Sequence, residues 1–345
     1  MCTPAHASLS ATSAALTLVC SLVVLPIARS QDSSLPVARS ASIQLAPEVG
    51  VSLAGYEADL KAAIDGNDLK SQALALDRMG ALYFMHGNPA EALKHFERVL
   101  SIVHKLGQQT SEATALSDIG AADFAMGRNE EALEAFKQAL PIWRRTGNQD
   151  HEAATLGDIG EVFRALGDPV EALRFDERAL RLYETAGNRD SQATVLNNIG
   201  LAYYASQDKK NALDAFQKAR ELYHAGMNLS GEANALNNIG GTYNAFGETS
   251  RALDPFQRAL AIHRQTGNRK GEATTLNNLG TACSRLGDGK RALELYKLAL
   301  LAFRAVRDAK GAATAMKNIE LLYADRRYRS SLGEIPSNLS DSLAP

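Results

Sequence analysis

Glycine returns at positions 80, 120, 160, 200, 240 and 280, six times at an interval of 40 residues with no slippage. A fixed period of that length marks an array of repeated supersecondary units. The residues before the glycine repeat with it: Leu196-Asn197-Asn198-Ile199-Gly200, Leu236-Asn237-Asn238-Ile239-Gly240 and Leu276-Asn277-Asn278-Leu279-Gly280. The chain has 345 residues, which on length alone would divide into two or three globular domains. Repetition overrides that division, because stacked units share one continuous core and form a single elongated body.

Each unit reads as two helices. In the fourth unit the first helix covers 191–205, and Gln207-Asp208 break the pattern where the other units have Gly87, Gly127, Gly167, Gly247 or Gly287. The second helix ends at Gly107, Gly147, Gly187 or Gly267, with Gly226 close to register in between. Glycine just past a helix end supplies left-handed backbone. Asn88-Pro89-Ala90-Glu91 and Asp168-Pro169-Val170-Glu171 set a cap, a proline and a glutamate at helix starts. Pro141 and Pro255 fall inside second helices, where each removes a backbone hydrogen bond.

The packing is legible too. A glycine inside a helix costs about 1 kcal/mol relative to alanine, so six of them imply close approach of the paired helix. That helix offers Ala92, Ala132, Ala172, Ala212, Ala252 and Ala292. A large ring follows four residues later at Phe96, Phe136, Phe216, Phe256 and Tyr296, and one residue early at Phe175. Small residues against glycine, with the ring filling the gap between units, make a consistent core.

Leu-x-x-Ile/Leu-Gly-x-x-Tyr followed by Ala-x-x-x-Phe-x-x-Ala resembles the tetratricopeptide repeat, carried in the fourth unit by Gly200, Tyr203, Ala212, Phe216 and Ala219. The period is longer than the common 34-residue form. With its Asn-Asn pair it resembles the repeats of kinesin light chains and of bacterial multi-repeat proteins that often carry a caspase-like domain downstream. The resemblance implies an all-α fold, a right-handed α-solenoid of helix-turn-helix units whose first helices line the concave face.

The remaining segments frame the array. Residues 14–28 are apolar, too short for a typical span, and are followed by Ala28-Arg29-Ser30, so 1–30 read as a signal peptide cleaved before Gln31. An uncleaved anchor is the rival, since no Lys or Arg precedes the run. Residues 31–50 read as a linker, 51–67 as an N-terminal capping helix, 68–307 as six units, 308–325 as a C-terminal capping helix and 326–345 as a disordered tail. The expected location is periplasmic or extracellular, with no stable membrane span once the leader is removed.

Composition narrows the function. The formal charge is −2 with acids and bases interspersed, which argues against a nucleic-acid partner. Two of the three cysteines, Cys2 and Cys20, fall in the leader, so only Cys283 is left, at a packing position. No CxxC, phosphate loop, GxSxG or HExxH occurs, so neither cofactor nor metal is expected, and the chain reads as non-enzymatic.

What the resemblance points to is a groove. It places Asn198, Asn238, Asn278 and Asn318 along the concave face, with Asp118 and Asp158 at the same position earlier and Arg78 at the start. Asn197, Asn237 and Asn277 form the neighbouring column, and Tyr204 and Asn244 turn toward the hollow. An amide carries donors and an acceptor, so a row of them suits the backbone of an extended peptide; kinesin-light-chain repeats grip peptide this way, and the resemblance implies it here. The alternative for the same asparagines is hydrogen bonding to the adjacent unit. Asp118 and Asp158 would favour a basic partner. The expected partner is a protein or peptide. The competing functions are self-assembly through the convex helices or the end helix, and the regulatory half of a protein that has lost a downstream catalytic domain.

Overall fold

The computed structural model of the protein describes residues 53–328. The leader expected at 1–30, the linker at 31–50 and the tail from 329 onward lie outside the described residues.

Helices fill the described chain. The first helices of the six units are α2 (Leu69–Met85), α4 (Gln109–Ala125), α6 (Gln149–Ala165), α8 (Arg189–Ala205), α10 (Leu229–Ala245) and α12 (Arg269–Arg285). Their partners are α3 (Pro89–Lys105), α5 (Asn129–Thr146), α7 (Pro169–Ala186), α9 (Lys209–Ala225), α11 (Thr249–Gln265) and α13 (Gly289–Ala305). The array is flanked by α1 (Leu53–Asp65) and α14 (Ala309–Ala324), and a short 3-10 turn, Arg326–Tyr328, follows. Each first helix packs on its own second helix, and each second helix on the first helix of the next unit. The result is an α-solenoid.

The true punctuation falls every 20 residues. Left-handed backbone occurs at Gly87, Gly107, Gly127, Gly147, Gly167, Gly187, Gly247, Gly267 and Gly287, and also at Asn67, Gln207, Met227 and Arg307. In most junctions the next residue is an Asp or Asn that caps the following helix, as Asn188 accepts from the Ser191 N–H at 3.2 Å. Gly226 is not the left-handed residue of its junction. It keeps φ at −83°, and the solvent-exposed Met227 takes φ of 55°. Helices α5 and α11 run on through Pro141 and Pro255.

The six periodic glycines hold the pairs together. A Cβ on Gly200 would lie 2.6 Å from the Phe216 ring, and one on Gly80, Gly120, Gly240 or Gly280 would meet Phe96, Phe136, Phe256 or Tyr296 within 2.8 Å. The ring therefore seats on the glycine itself, and its cluster also reaches Ile239 and Tyr243 of the next unit. The third unit departs from this pattern. Asp176, not Phe175, faces Gly160, with its Oδ1 2.5 Å from where a Cβ would be. One residue of slip turns a helical side chain by about 100°, so Phe175 cannot take the seat; it stacks instead on Phe163, centroids 5.4 Å apart.

A second set of glycines works between units. Gly231, Gly271 and Gly311 lie in the first turns of α10, α12 and α14, under Tyr223, His263 and Phe303 of the preceding second helix. At the end of the array Tyr328 seats on Gly289 and donates its hydroxyl to the Ser284 carbonyl. Arg326–Tyr328, expected to begin a disordered tail, is thus packed, with Tyr328 buried.

Candidate functional site

Successive first helices approach one another directly: α4 with α6, α6 with α8, α8 with α10, α10 with α12 and α12 with α14. Second helices of neighbouring units meet mainly through the first helix between them. The first helices therefore occupy the inner side of the bend, and their facing residues form a shared wall.

In the C-terminal half that wall is an amide ladder. Asn238 Nδ2 donates to Asn197 Oδ1 at 2.9 Å, Asn278 Nδ2 to Asn237 Oδ1 at 3.2 Å, and Asn318 Nδ2 to Asn277 Oδ1 at 2.9 Å. Thr275 adds its hydroxyl to Asn237 Oδ1 at 3.3 Å. The bonds join residues 41 apart, the second asparagine of one unit to the first of the unit before. Each pair uses one donor and one acceptor. The other halves, the Nδ2 groups of Asn197, Asn237 and Asn277 and the Oδ1 atoms of Asn238, Asn278 and Asn318, remain on half-buried side chains. Asn198 makes no rung, because the position it would reach in the preceding unit is Gly157, which has no side chain.

The N-terminal half is built differently. The columns there hold Asp77 and Arg78, Ser117 and Asp118, Gly157 and Asp158. Asp118 and Ser117 are fully buried, Asp77 nearly so, and Asp158 is half-buried. Arg78 lies over the Tyr56 ring, 5.9 Å from its centroid. Of the other expected groove residues, Tyr204 is half-buried and meets Phe246 edge-on at 6.2 Å. Asn244, expected on the open face, is 4% exposed, with its side-chain oxygen enclosed. Its backbone carbonyl accepts from Arg285.

Two arrangements escaped the sequence reading. One is a buried charge cluster in the third unit. Arg164 of α6 donates Nη1 to Asp176 Oδ2 at 2.6 Å, and both side chains are out of solvent. Burial pushes the Asp176 carboxyl up to about 7, Arg164 pulls it back, and Glu161 raises it further. Burial also raises Glu161. The signal was available: position 204 is Tyr and 216 is Phe, whereas 164 and 176, one period earlier, are Arg and Asp. The other is a latch between units. An arginine or histidine near the end of a second helix meets a glutamate eight residues on, as in His104–Glu112, Arg144–Glu152, His224–Glu232 and Arg264–Glu272, at 2.6–3.0 Å.

Among the described residues no cluster of His, Cys, Asp or Glu is arranged to hold a metal ion, and no helix is long and apolar enough to cross a membrane. The half-buried Cys283 thiol is pushed up by burial, away from the reactive thiolate form.

The sequence matches tetratricopeptide repeat models over residues 71–145, 111–185, 152–225 and 191–265, and again over 273–306. The chain belongs to the tetratricopeptide repeat family. Among curated proteins none matches it in sequence. Its fold is similar to that of BtubC (BKLC) from P. vanneervenii, with a TM-score of 0.55 at 19% identity, covering 62% of this chain and 91% of that one. It is also similar to aspartyl phosphate phosphatase F from Bacillus subtilis, with a TM-score of 0.56 at 15% identity over 81% and 78% of the two chains. A third similar fold is a Rap protein complexed with competence and sporulation factor, TM-score 0.53 at 14% identity over 78% and 84%. At these identities the likeness is one of fold.

Proposed function

We propose that this tetratricopeptide array is a non-enzymatic scaffold that binds an extended protein or peptide segment along the inner wall of α8, α10, α12 and α14. The observation that carries this is the half-used ladder. Each rung leaves a donor and an acceptor on half-buried amides, repeated once per unit along one face. A peptide backbone offers the complementary groups, whatever its side chains. The ladder bonds and the binding role are compatible, because a rung holds each amide in one orientation before a partner arrives. Tyr204, packed against the Phe216 cluster and Phe246, borders this wall with its half-exposed ring, and the half-buried Asp158 adds a carboxylate beside it. Asp118 and Asn244 are buried and lie outside the proposed contact surface.

A library of immobilised twelve-residue peptides is the direct test. Peptides selected on the wild-type array are expected to bind Asn198→Ala at least about 10-fold more weakly, a loss equal to about 1.4 kcal/mol. N-methylation of their backbone is expected to weaken them as well. Undiminished binding to an array carrying Asn198→Ala, Asn238→Ala and Asn278→Ala together would remove the groove from this reading. The apolar run at 14–28 with Ala28 and Ser30 after it supports action outside the cytoplasm; fractionation of the native host that finds the chain only in the cytoplasm would end that part.

A further inference from the structure

Among the six second helices, only the last carries large apolar side chains at the centre of its outer face. Equivalent solvent-facing positions carry Arg98 and Ser101 on α3, Gln138 and Pro141 on α5, and Lys218 and Glu221 on α9. On α13 the same two positions are Leu298 and Leu301, 48% and 41% exposed. Ala305 continues the line one turn on, so the apolar residues stand at i, i+3 and i+7, the spacing of a helix-pairing seam. At these two positions the other second helices carry Arg, Lys, Glu, Gln, Ser, Pro or Ala.

We infer that α13 pairs antiparallel with α13 of a second copy of this chain. A twofold axis near the midpoint of Leu298 and Leu301 sets the leucines of one helix on those of the other, as an isologous contact requires. The flanks then match in charge. Glu294, exposed at one end of the seam, is paired at 3.1 Å with Arg291 of its own helix in a solvent-exposed contact that is free to rearrange, and Arg307, exposed at the other end, stands just past the helix. The twofold brings the Glu294 end of one helix beside the Arg307 end of its partner, and the second pair follows by symmetry. One helix seam buries less than the roughly 1,200 Å² of a stable interface, so the dimer is a weak, reversible one. The convex side carries this contact, so the inner wall stays open in both copies.

Sedimentation velocity of the full chain between about 10 and 500 µM tests it. Association that rises with concentration is expected, and Leu298→Glu with Leu301→Glu should leave a monomer of unchanged helicity and melting temperature. Glu294→Arg alone sets like charges together and should raise Kd several-fold; adding Arg307→Glu restores the match and should recover it. That recovery is something a merely structural role for either residue would not give. A chain that stays monomeric throughout, as when the leucines are covered by its own residues or reserved for another protein, overturns the proposal. So does association that survives the double glutamate variant, or a charge swap without recovery.

Discussion

The third and fourth units share one plan and differ at one joint. In the fourth, Gly200 receives the Phe216 ring, with Tyr204 and Leu201 nearby on α8. In the third, Gly160 receives the Asp176 carboxylate, and the places of Tyr204 and Leu201 are held by Arg164 and Glu161. The amide columns change at the same boundary, from Gly157 and Asp158 to Asn197 and Asn198. A repeat can therefore exchange a ring for a carboxylate, provided the same unit supplies the countercharge. The two solutions are not equal. The ring gains from burial alone. The ion pair must overcome the desolvation of both charges, and it leaves Asp176 Oδ1 and Arg164 Nε and Nη2 enclosed without partners. The third unit's joint is therefore expected to contribute less to stability than the fourth unit's.

The largest effects come from removing one member of each joint. Phe216→Ala should destabilise by about 3–5 kcal/mol at any pH. Arg164→Met should cost about as much at pH 8, because it strands a buried carboxylate, and much less at pH 5, where Asp176 holds a proton. Urea unfolding followed at both pH values separates them; equal losses at pH 5 and 8 for Arg164→Met would show that Asp176 is not the group it neutralises.

The intact protein carries the same distinction. Asp176 titrates near 7 when folded, against an ordinary value of 3.8. A carboxyl whose pKa is raised on folding lends its stability below the unfolded value, and that stability is lost as pH rises to the folded one. Its contribution should therefore fall between pH about 4 and about 7. Asp68, Asp325 and Glu272 are shifted the other way, Asp68 and Asp325 by hydrogen bonds; Glu272 is held down by Arg264 and Arg269 despite its burial. The global curve is thus a sum, and the local one is decisive. Hydrogen exchange, corrected for its intrinsic pH dependence, should show α6 and α7 losing protection from pH 5 to 8 while α8 and α9 do not, and Asp176→Asn should shrink the difference to the part that the buried Glu161 contributes.

These joints also show what the sequence could and could not reveal. The six glycines made the helix pairs, the period and the fold legible, because close approach leaves a residue-level mark. The ring at 175 was misassigned because a displacement of one position looks small in a string and is about a quarter turn on a helix. The ladder was half legible. Its columns repeat at 40, but its bonds run at 41, from one column to the next, and only the rotation between stacked units decides which columns meet. The burial of Asp118 and Asn244 was hidden for the same reason.

A smaller effect tests the ladder itself. Asn238→Ala and Asn278→Ala each remove a bond between units and should cost about 0.5–1.5 kcal/mol. Asn198→Ala, facing Gly157, should cost almost nothing. A stability loss at Asn198 as large as at Asn238 would mean that Asn198 is held by something other than the absent rung.

The smallest effect concerns the junction after α9, beside the fourth unit's well-packed core. The corresponding junctions after α7 and α11 place Gly187 and Gly267 in left-handed backbone, at φ of 68° and 67°. Here the conformation falls to Met227, at φ of 55° and 85% exposed, so its side chain gains little from packing. The left-handed region costs a residue with a Cβ about 1 kcal/mol or more. Met227→Gly should therefore raise the melting temperature slightly, by about 1 kcal/mol of stability. Gly226→Ala should be close to neutral, because φ at Gly226 is −83° and the added Cβ would make only ordinary contact with the Leu222 carbonyl, at 3.4 Å. The reverse outcome, a loss at 226 and none of the gain at 227, would move the turn back by one residue and shift every contact that α10 makes with α9.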